Sequence, residues 1–184
     1  MKRIIALVLV TIMSMSVLVG CGQKNAAEPS QTPSQAPAEK PALTMDLTQI
    51  IDKIYENKKV ELKLATMPVD LTDIDAVTSY TGLTDTSKIK EVVASEPMMS
   101  SQAYSLVLVR TNDSADAEAV ADAMKAGINP RKWICVEADD LKVATYGDVV
   151  MLIMVSTQLA DTVTADEIVD AFQTVAGGTL DTVK

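Results

Sequence analysis

The sequence predicts an α+β domain in which an antiparallel sheet of four to five strands carries helices packed mainly on one face. Two stretches, residues 89–110 and 141–155, each contain a pair of strand-like apolar runs. An amphipathic helical pattern follows each pair, so the order β-β-α occurs twice. Neighbouring strands followed by helices favour a layered antiparallel sheet over a parallel one.

The domain is predicted to begin with a helix, for which Thr44 is the expected N-cap and Asp46 lies in the first turn. Its apolar face follows helical spacing and comprises Leu47, Ile50, Ile51 and Ile54. Residues 60–68 alternate apolar and polar side chains until Pro68 stops them, which indicates a short extended arm. Residues 70–83 are interpreted as a turn and a short helix closed by Gly82.

The first strand pair covers residues 89–95 and 104–110. Asp113 or Ser114 is expected to cap the helix that follows, and Gly127 fits the left-handed position after its end. Residues 131–136 are predicted to form a short helix or an extended piece.

The second strand pair covers residues 141–146 and 149–155, joined by the turn dipeptide Gly147-Asp148. Residues 149–155 are entirely apolar, which predicts a central strand covered on both faces. Thr164 and Glu167 have the spacing of a capping box, and they open a helix that Gly177-Gly178 should end. The tail beyond is expected to be frayed.

Residues 1–20 have the layout of a secretory signal peptide: Lys2 and Arg3 precede the apolar residues 4–19. Leu18-Val19-Gly20-Cys21 resembles the lipobox of bacterial lipoproteins. That resemblance implies cleavage between Gly20 and Cys21 and attachment of diacylglycerol to the Cys21 thiol. The alternative is a membrane span with an incidental cysteine, although the run is short for that purpose.

Residues 21–44 are predicted to be a tether between the lipid and a single domain at residues 45–184. Proline recurs every fourth residue from position 29 to 41 among Ser, Thr, Gln and Ala, a composition that cannot bury a core. The alternative for this segment is a proline-rich ligand for a partner.

The composition excludes several functions. The net charge is −9, and removing residues 1–20, which contain two cations and no acid, lowers it by two more. Such an acidic chain is not expected to bind nucleic acid. There is no histidine, the usual general base and metal ligand. The few aromatic residues argue against a carbohydrate enzyme, and no cofactor motif is present. The domain is predicted to be monomeric.

Few residues are candidates for chemistry. Cys135 is expected to be a buried apolar side chain, since a nucleophile would need a basic neighbour; that alternative stays open. Glu137, Asp139 and Asp140 could hold Ca²⁺ or could belong to a solvated loop.

Residues 129–133 place two cations beside the only tryptophan of the chain. Because Trp and Arg are frequent interface anchors, Arg131, Lys132 and Trp133 are the predicted contact with an envelope protein or cell-wall polymer. The alternative is a turn in which Trp133 covers the edge of the core and both cations point into water.

The strand–helix run at residues 104–128 and the hairpin at residues 146–156, together with the lipobox and tether, resemble a family of uncharacterised Firmicutes lipoproteins with a domain of unknown function. The resemblance covers residues 45–178 and implies an anchor on the outer face of a Gram-positive cell membrane. It transfers no catalytic residue. The predicted function is therefore a membrane-anchored binding module. The alternatives are a small envelope hydrolase that uses carboxylates or a Ser/Lys pair, and a solute-capture accessory lipoprotein.

Overall fold

The computed structural model describes residues 43–184, which form a six-stranded antiparallel sheet. Its strands are β1 (Leu64–Pro68), β2 (Ile89–Pro97), β3 (Tyr104–Thr111), β4 (Asp140–Tyr146), β5 (Val149–Val155) and β6 (Thr182–Val183). Their spatial order is β1-β2-β3-β5-β4-β6, so β3 and β5 occupy the centre. The predicted α+β class is confirmed, with more strands than the four to five expected.

Four α-helices accompany the sheet: α1 (Leu47–Asn57), α2 (Ile74–Thr81), α3 (Ala117–Gly127) and α4 (Ala165–Ala176). Ile51 of α1 and Phe172 of α4 belong to the core on one face of the sheet. Val77 of α2 and Met124 of α3 belong to a second core on the opposite face. The expectation that the helices pack mainly on one face was therefore wrong.

The two central strands explain why both faces carry helices. All residues of β3 and β5 are buried. Met151 and Ile153 face the α1/α4 core, whereas Val150 and Leu152 face the α2/α3 core. Side chains alternate across a strand, so a continuous apolar run needs cover on both sides. This confirms the central position predicted for residues 149–155. The uninterrupted apolar run is the feature of the sequence that indicates helices on both faces of the sheet.

Helix ends follow the sequence signals in most places. Thr164 and Glu167 form the predicted capping box, in which each backbone N–H is bonded by the other side chain. Gly177 has φ 70° and ends α4 as expected. Asp46, rather than Thr44, occupies the N-cap of α1, and its N–H donates to Gln49 Oε1 at 3.2 Å.

Gly127 has a different role from the one predicted. It is the last residue of α3 and its φ is not positive. A Cβ at Gly127 would lie 2.2 Å from the Gly82 carbonyl oxygen, and one at Gly82 would lie 2.2 Å from Ile128 N. Gly82 closes α2 with φ 76°, as predicted. The two glycines thus allow the ends of α2 and α3 to touch backbone to backbone.

The C-terminal tail is paired rather than frayed. β6 pairs antiparallel with Ala144 and Thr145 of β4, and the Lys184 N–H donates to the Val143 carbonyl at 2.8 Å. Residues 131–136 form neither helix nor strand; they belong to a loop that joins α3 to β4.

A buried arginine holds the point where the chain enters the domain. Arg110, at the end of β3, donates to the carbonyls of Leu43 and Met45 at 2.9 and 2.7 Å. It also donates to Asp148 Oδ2 at 2.8 Å. The described chain therefore begins at the end of the sheet where β3 stops and β5 starts.

Candidate functional site

The predicted contact residues lie in the loop between α3 and β4, which turns back on itself. The Ala138 N–H donates to the Pro130 carbonyl at 2.9 Å, and the Arg131 N–H donates to Asn129 Oδ1 at the same distance. These bonds close a compact loop at residues 130–138 with three consecutive predicted site residues on it.

Lys132 points into the protein, and only 11% of its side chain is exposed. Its ammonium forms an ion pair with Glu96 near the end of β2. It also donates to Ser105 Oγ at 3.2 Å and to the Ser79 carbonyl at 3.4 Å. Ser105, at the start of β3, donates in turn to Glu96 Oε1 at 2.6 Å. The alternative in which both cations of this loop point into water is therefore wrong for Lys132.

Two aromatic rings complete the surroundings of this ammonium. Its Nζ lies 5.1 Å from the Tyr80 ring centroid and 5.4 Å from that of Trp133. Such distances allow cation–π attraction. Burial lowers the pKa of Lys132, and the Glu96 carboxylate opposes that shift. Glu96 and Ser105 offset part of the cost of this burial and tie the loop to the β2–β3 hairpin. We call Lys132 with these two partners the clamp.

The neighbouring hydroxyl and amine raise the question of a serine–lysine nucleophile. Such a nucleophile needs access to the substrate and an amine that can accept its proton. Ser105 is fully buried and its hydroxyl already donates to Glu96. Glu96 also favours the protonated form of Lys132, which cannot accept a proton from a serine hydroxyl. The arrangement therefore suits a structural clamp and does not offer Ser105 to a substrate.

The other two predicted contact residues lie on either side of this clamp. Arg131 is exposed and forms an ion pair with Glu137 at the surface. Trp133 is partly buried against the α2/α3 core, in the manner of the edge-covering alternative. The structure thus brings the three predicted residues into one loop but gives each a different environment.

Large apolar side chains are exposed next to the clamp. Ile134 is 70% exposed, and Met98 and Met99, in the loop that joins β2 to β3, are 75% and 57% exposed. Glu96 and Ser105 flank the β2–β3 loop, and both contact Lys132, so the two loops lie at the same end of the sheet. We call Met98, Met99 and Ile134 the distal surface.

The distal surface lies far from the start of the described chain. Ser105 marks the distal end of β3, and Arg110, which holds residues 43–45, marks the other end. Arg110 is five positions beyond Ser105 along the extended strand, which corresponds to roughly 16 Å. The exposure of Ile134 has no signal in the sequence, because it follows from the course of the loop after the buried Lys132.

Cys135 is exposed, so the expectation that it is buried was wrong. Its φ of 63° is the left-handed conformation, which non-glycine residues rarely adopt. The tight loop requires this conformation and turns the thiol outward.

The three candidate Ca²⁺ ligands have separate partners. Glu137 pairs with Arg131, Asp139 accepts from Thr157 N and Oγ1, both at 2.6 Å, and Asp140 accepts from the Ala165 N–H. Within residues 43–184 no group of three His, Cys, Asp or Glu side chains converges on a metal-sized site. These acids are engaged as caps and as a surface ion pair.

Two surface hollows lie along α2 and α3. One, of about 370 Å³, is polar and adjoins the clamp; its lining comprises Asp75, Thr78, Ser79, Gly127, Asn129 and Lys132. The other, of about 480 Å³, is more apolar and lies between α3 and the segment that leads from α2 into β2. Neither hollow holds a pair of converging carboxylates of the kind a hydrolase would use.

The predicted lipidation and cleavage residues, Cys21 and Gly20, lie outside the described residues, as does most of the tether. None of the helices at residues 43–184 is long and apolar enough to cross a membrane. No protein-family model, curated protein or solved structure matches the chain.

Proposed function

We propose that the chain is a lipid-anchored lipoprotein of the outer face of the cell membrane that acts as a binding module. One observation carries the binding role: Met98, Met99 and Ile134 are each exposed, on two loops at the end of the sheet opposite the chain entry. Several large apolar side chains exposed at one end of a domain are typical of contact surfaces.

The clamp beneath the surface supports this role. Lys132 is held by Glu96 and Ser105, so the loop that carries Ile134 is fixed before a partner arrives. A fixed surface loses little conformational entropy on binding, which favours affinity. Methionine side chains adapt to irregular partners. The apolar character favours an envelope protein as the partner over a charged or hydroxyl-rich cell-wall polymer.

The anchor is supported by the sequence pattern around Cys21. Lys2 and Arg3, the apolar residues 4–19 and the lipobox-like residues 18–21 stand in the order found in lipoprotein precursors. A two-chain lipid would hold the domain stably at the membrane. The tether would then separate the domain from the bilayer and leave the distal surface free to meet a neighbour.

The anchor is tested with Cys21→Ser in the full-length chain. We expect the wild-type protein to incorporate radiolabelled palmitate and to sediment with membranes. The variant should lose the label and should leave the membrane fraction or keep an uncleaved signal. Labelling that persists in Cys21→Ser would contradict the lipid anchor.

The binding role is tested with the double variant Met99→Ser/Ile134→Ser, matched against Ile74→Ser/Val183→Ser, which removes exposed apolar side chains elsewhere. Proteins that copurify with each full-length form from crosslinked, solubilised membranes are quantified. We expect a specific partner to be depleted for the first variant alone. Equal recovery with both variants would exclude the distal surface as the contact.

A further inference from the structure

β1 forms one edge of the sheet, and among residues 43–184 no strand pairs with its outer side. The bonds at its two ends fix which groups point outward. The Val69 N–H donates to the Val92 carbonyl at 2.9 Å, and the Met98 N–H donates to the Lys63 carbonyl at 2.9 Å. Backbone groups alternate in direction along an antiparallel strand, so the N–H and C=O groups of Leu64 and Thr66 point away from the sheet.

Pro68 occupies the next outward position, where its missing N–H costs no bond to β2. The edge therefore offers two N–H donors, those of Leu64 and Thr66, before the proline ends it. Met67 is exposed on the opposite side of the strand from Thr66. A short open edge with apolar and small side chains is a template for one added strand.

The charge at the beginning of this edge is positive, although the chain as a whole is acidic. Lys63 has no ion-pair partner among the described residues, and Lys59 is paired only with exposed Glu61 at 3.6 Å. Such an exposed pair contributes little and leaves the ammonium accessible. A strand with carboxylates near Lys59 and Lys63 would complement these charges.

We propose that the outer edge of β1 binds an extended peptide segment with acidic residues at one end, added as a seventh strand. Leu64 and Thr66 exchange backbone hydrogen bonds with the segment, and Lys63 contacts its acidic end. The site adjoins the distal surface, because the Met98 N–H donates to the Lys63 carbonyl. Its recognition groups, the outward backbone of Leu64 and Thr66 and the Lys63 side chain, belong neither to the clamp nor to the distal surface.

The matched variants are Thr66→Pro and Thr66→Val, tested in the full-length chain in detergent. Both lose the side-chain bond from Thr66 Oγ1 to Ser95 Oγ at 3.0 Å, but only proline also removes the outward N–H. The probe is a fluorescein-labelled nonapeptide of alternating Val and Thr with two Glu at one end. A second probe carries two Lys in their place. Binding is followed by fluorescence anisotropy.

We expect saturable binding of the acidic probe, weakened about fivefold or more by Thr66→Pro, the effect of one lost hydrogen bond. Thr66→Val should stay within about twofold of the wild type. Lys63→Glu, an exposed change that leaves the fold intact, should reverse the preference between the two probes.

Absence of saturable binding to the wild type would overturn the proposal, as would equal affinities for Thr66→Pro and Thr66→Val. Analytical ultracentrifugation adds a third outcome. Concentration-dependent dimerisation that Thr66→Pro abolishes would assign the edge to a second copy of the chain and would also overturn the proposal.

Discussion

Arg110 Nη1 lies 2.8 Å from Asp148 Oδ2 in a site that leaves about a tenth of the arginine side chain exposed. The same guanidinium bonds the carbonyls of Leu43 and Met45. One side chain therefore connects the end of β3, the turn before β5 and the first described residues of the chain. In a lipid-anchored protein, a force transmitted through the tether would reach the domain at this point.

Arg110→Met should be strongly destabilising. It leaves Asp148 and two backbone carbonyls without their partner, and the loss of one member of a buried ion pair costs about 3–5 kcal/mol. Urea unfolding of the two forms measures the change. The control is Arg131→Met, whose pair with Glu137 is exposed and should contribute less than about 1 kcal/mol. Similar losses for both variants would contradict the role of Arg110.

Alanine substitutions at Gly177 and Gly82 separate the cost of backbone strain from the cost of a steric collision. Gly177 has φ 70° and no atom within 4 Å of the position that a Cβ would take, so Gly177→Ala should cost about 1 kcal/mol from backbone strain alone. Gly82→Ala adds a collision with the backbone of Ile128, and should cost roughly 3 kcal/mol or more. Thermal unfolding ranks the two. A smaller loss for Gly82→Ala would show that α2 and α3 can move apart at little cost.

Alkaline pH should destabilise the protein through its buried phenols. Burial raises the pKa of Tyr104 well above its ordinary value of 10.0, and burial also raises the pKa of Tyr55. The folded state thus keeps protons that the unfolded chain releases, so this stability is complete below pH 10 and falls as the pH rises further. Each phenol contributes a slope of up to about 1.4 kcal/mol per pH unit.

Tyr104→Phe isolates the contribution of this phenol. Burial lowers the pKa of Lys132, which makes stability rise with pH, but this opposing effect is the same in both proteins. Urea unfolding from pH 8 to 11 should show a shallower decline for the variant. At neutral pH the variant loses only the 3.2 Å bond to Tyr55, which amounts to about 1 kcal/mol. Parallel curves for the two proteins would contradict the assignment.

The single tryptophan reports directly on the clamp. Glu96→Gln removes the charge that compensates the buried Lys132 ammonium, so the loop should loosen and expose Trp133. We expect a red-shifted fluorescence maximum and faster quenching by acrylamide at pH 7, while far-UV circular dichroism stays native. Glu137→Gln, at an exposed pair in the same loop, is the control. An unchanged Trp133 signal in Glu96→Gln would mean that the clamp does not hold the loop.

Local signals in the sequence predicted most of the elements. Thr164 and Glu167 marked a helix start because both bonds of a capping box form within three residues. Residues 149–155 marked the central strand because only a strand covered on both faces can be apolar throughout. The layer arrangement was misjudged because the repeated β-β-α order says nothing about which face each helix takes.

The remaining errors concern contacts between distant segments. The sequence suggests that Gly127 caps α3. Glycine is needed there instead because the backbone of Gly82, at the end of α2, leaves no room for a Cβ. Lys132 looked solvated because its partners, Glu96 and Ser105, lie on strands far away in the sequence. Cys135 was expected to be buried because a lone cysteine usually behaves as a small apolar side chain, whereas the closure of the loop turns its thiol outward. Pairing of β6 likewise depends on the exposed edge of β4.

Site-specific photocrosslinking in intact cells tests the proposed binding role most directly. A photoreactive residue is placed at Met99 or Ile134 of the full-length chain, and at Val183 as an exposed control. We expect the first two positions to capture the same envelope protein and the control position to leave it uncaptured. Identical capture from all three positions, or no shared adduct from Met99 and Ile134, would contradict the assignment of the distal surface as the contact site.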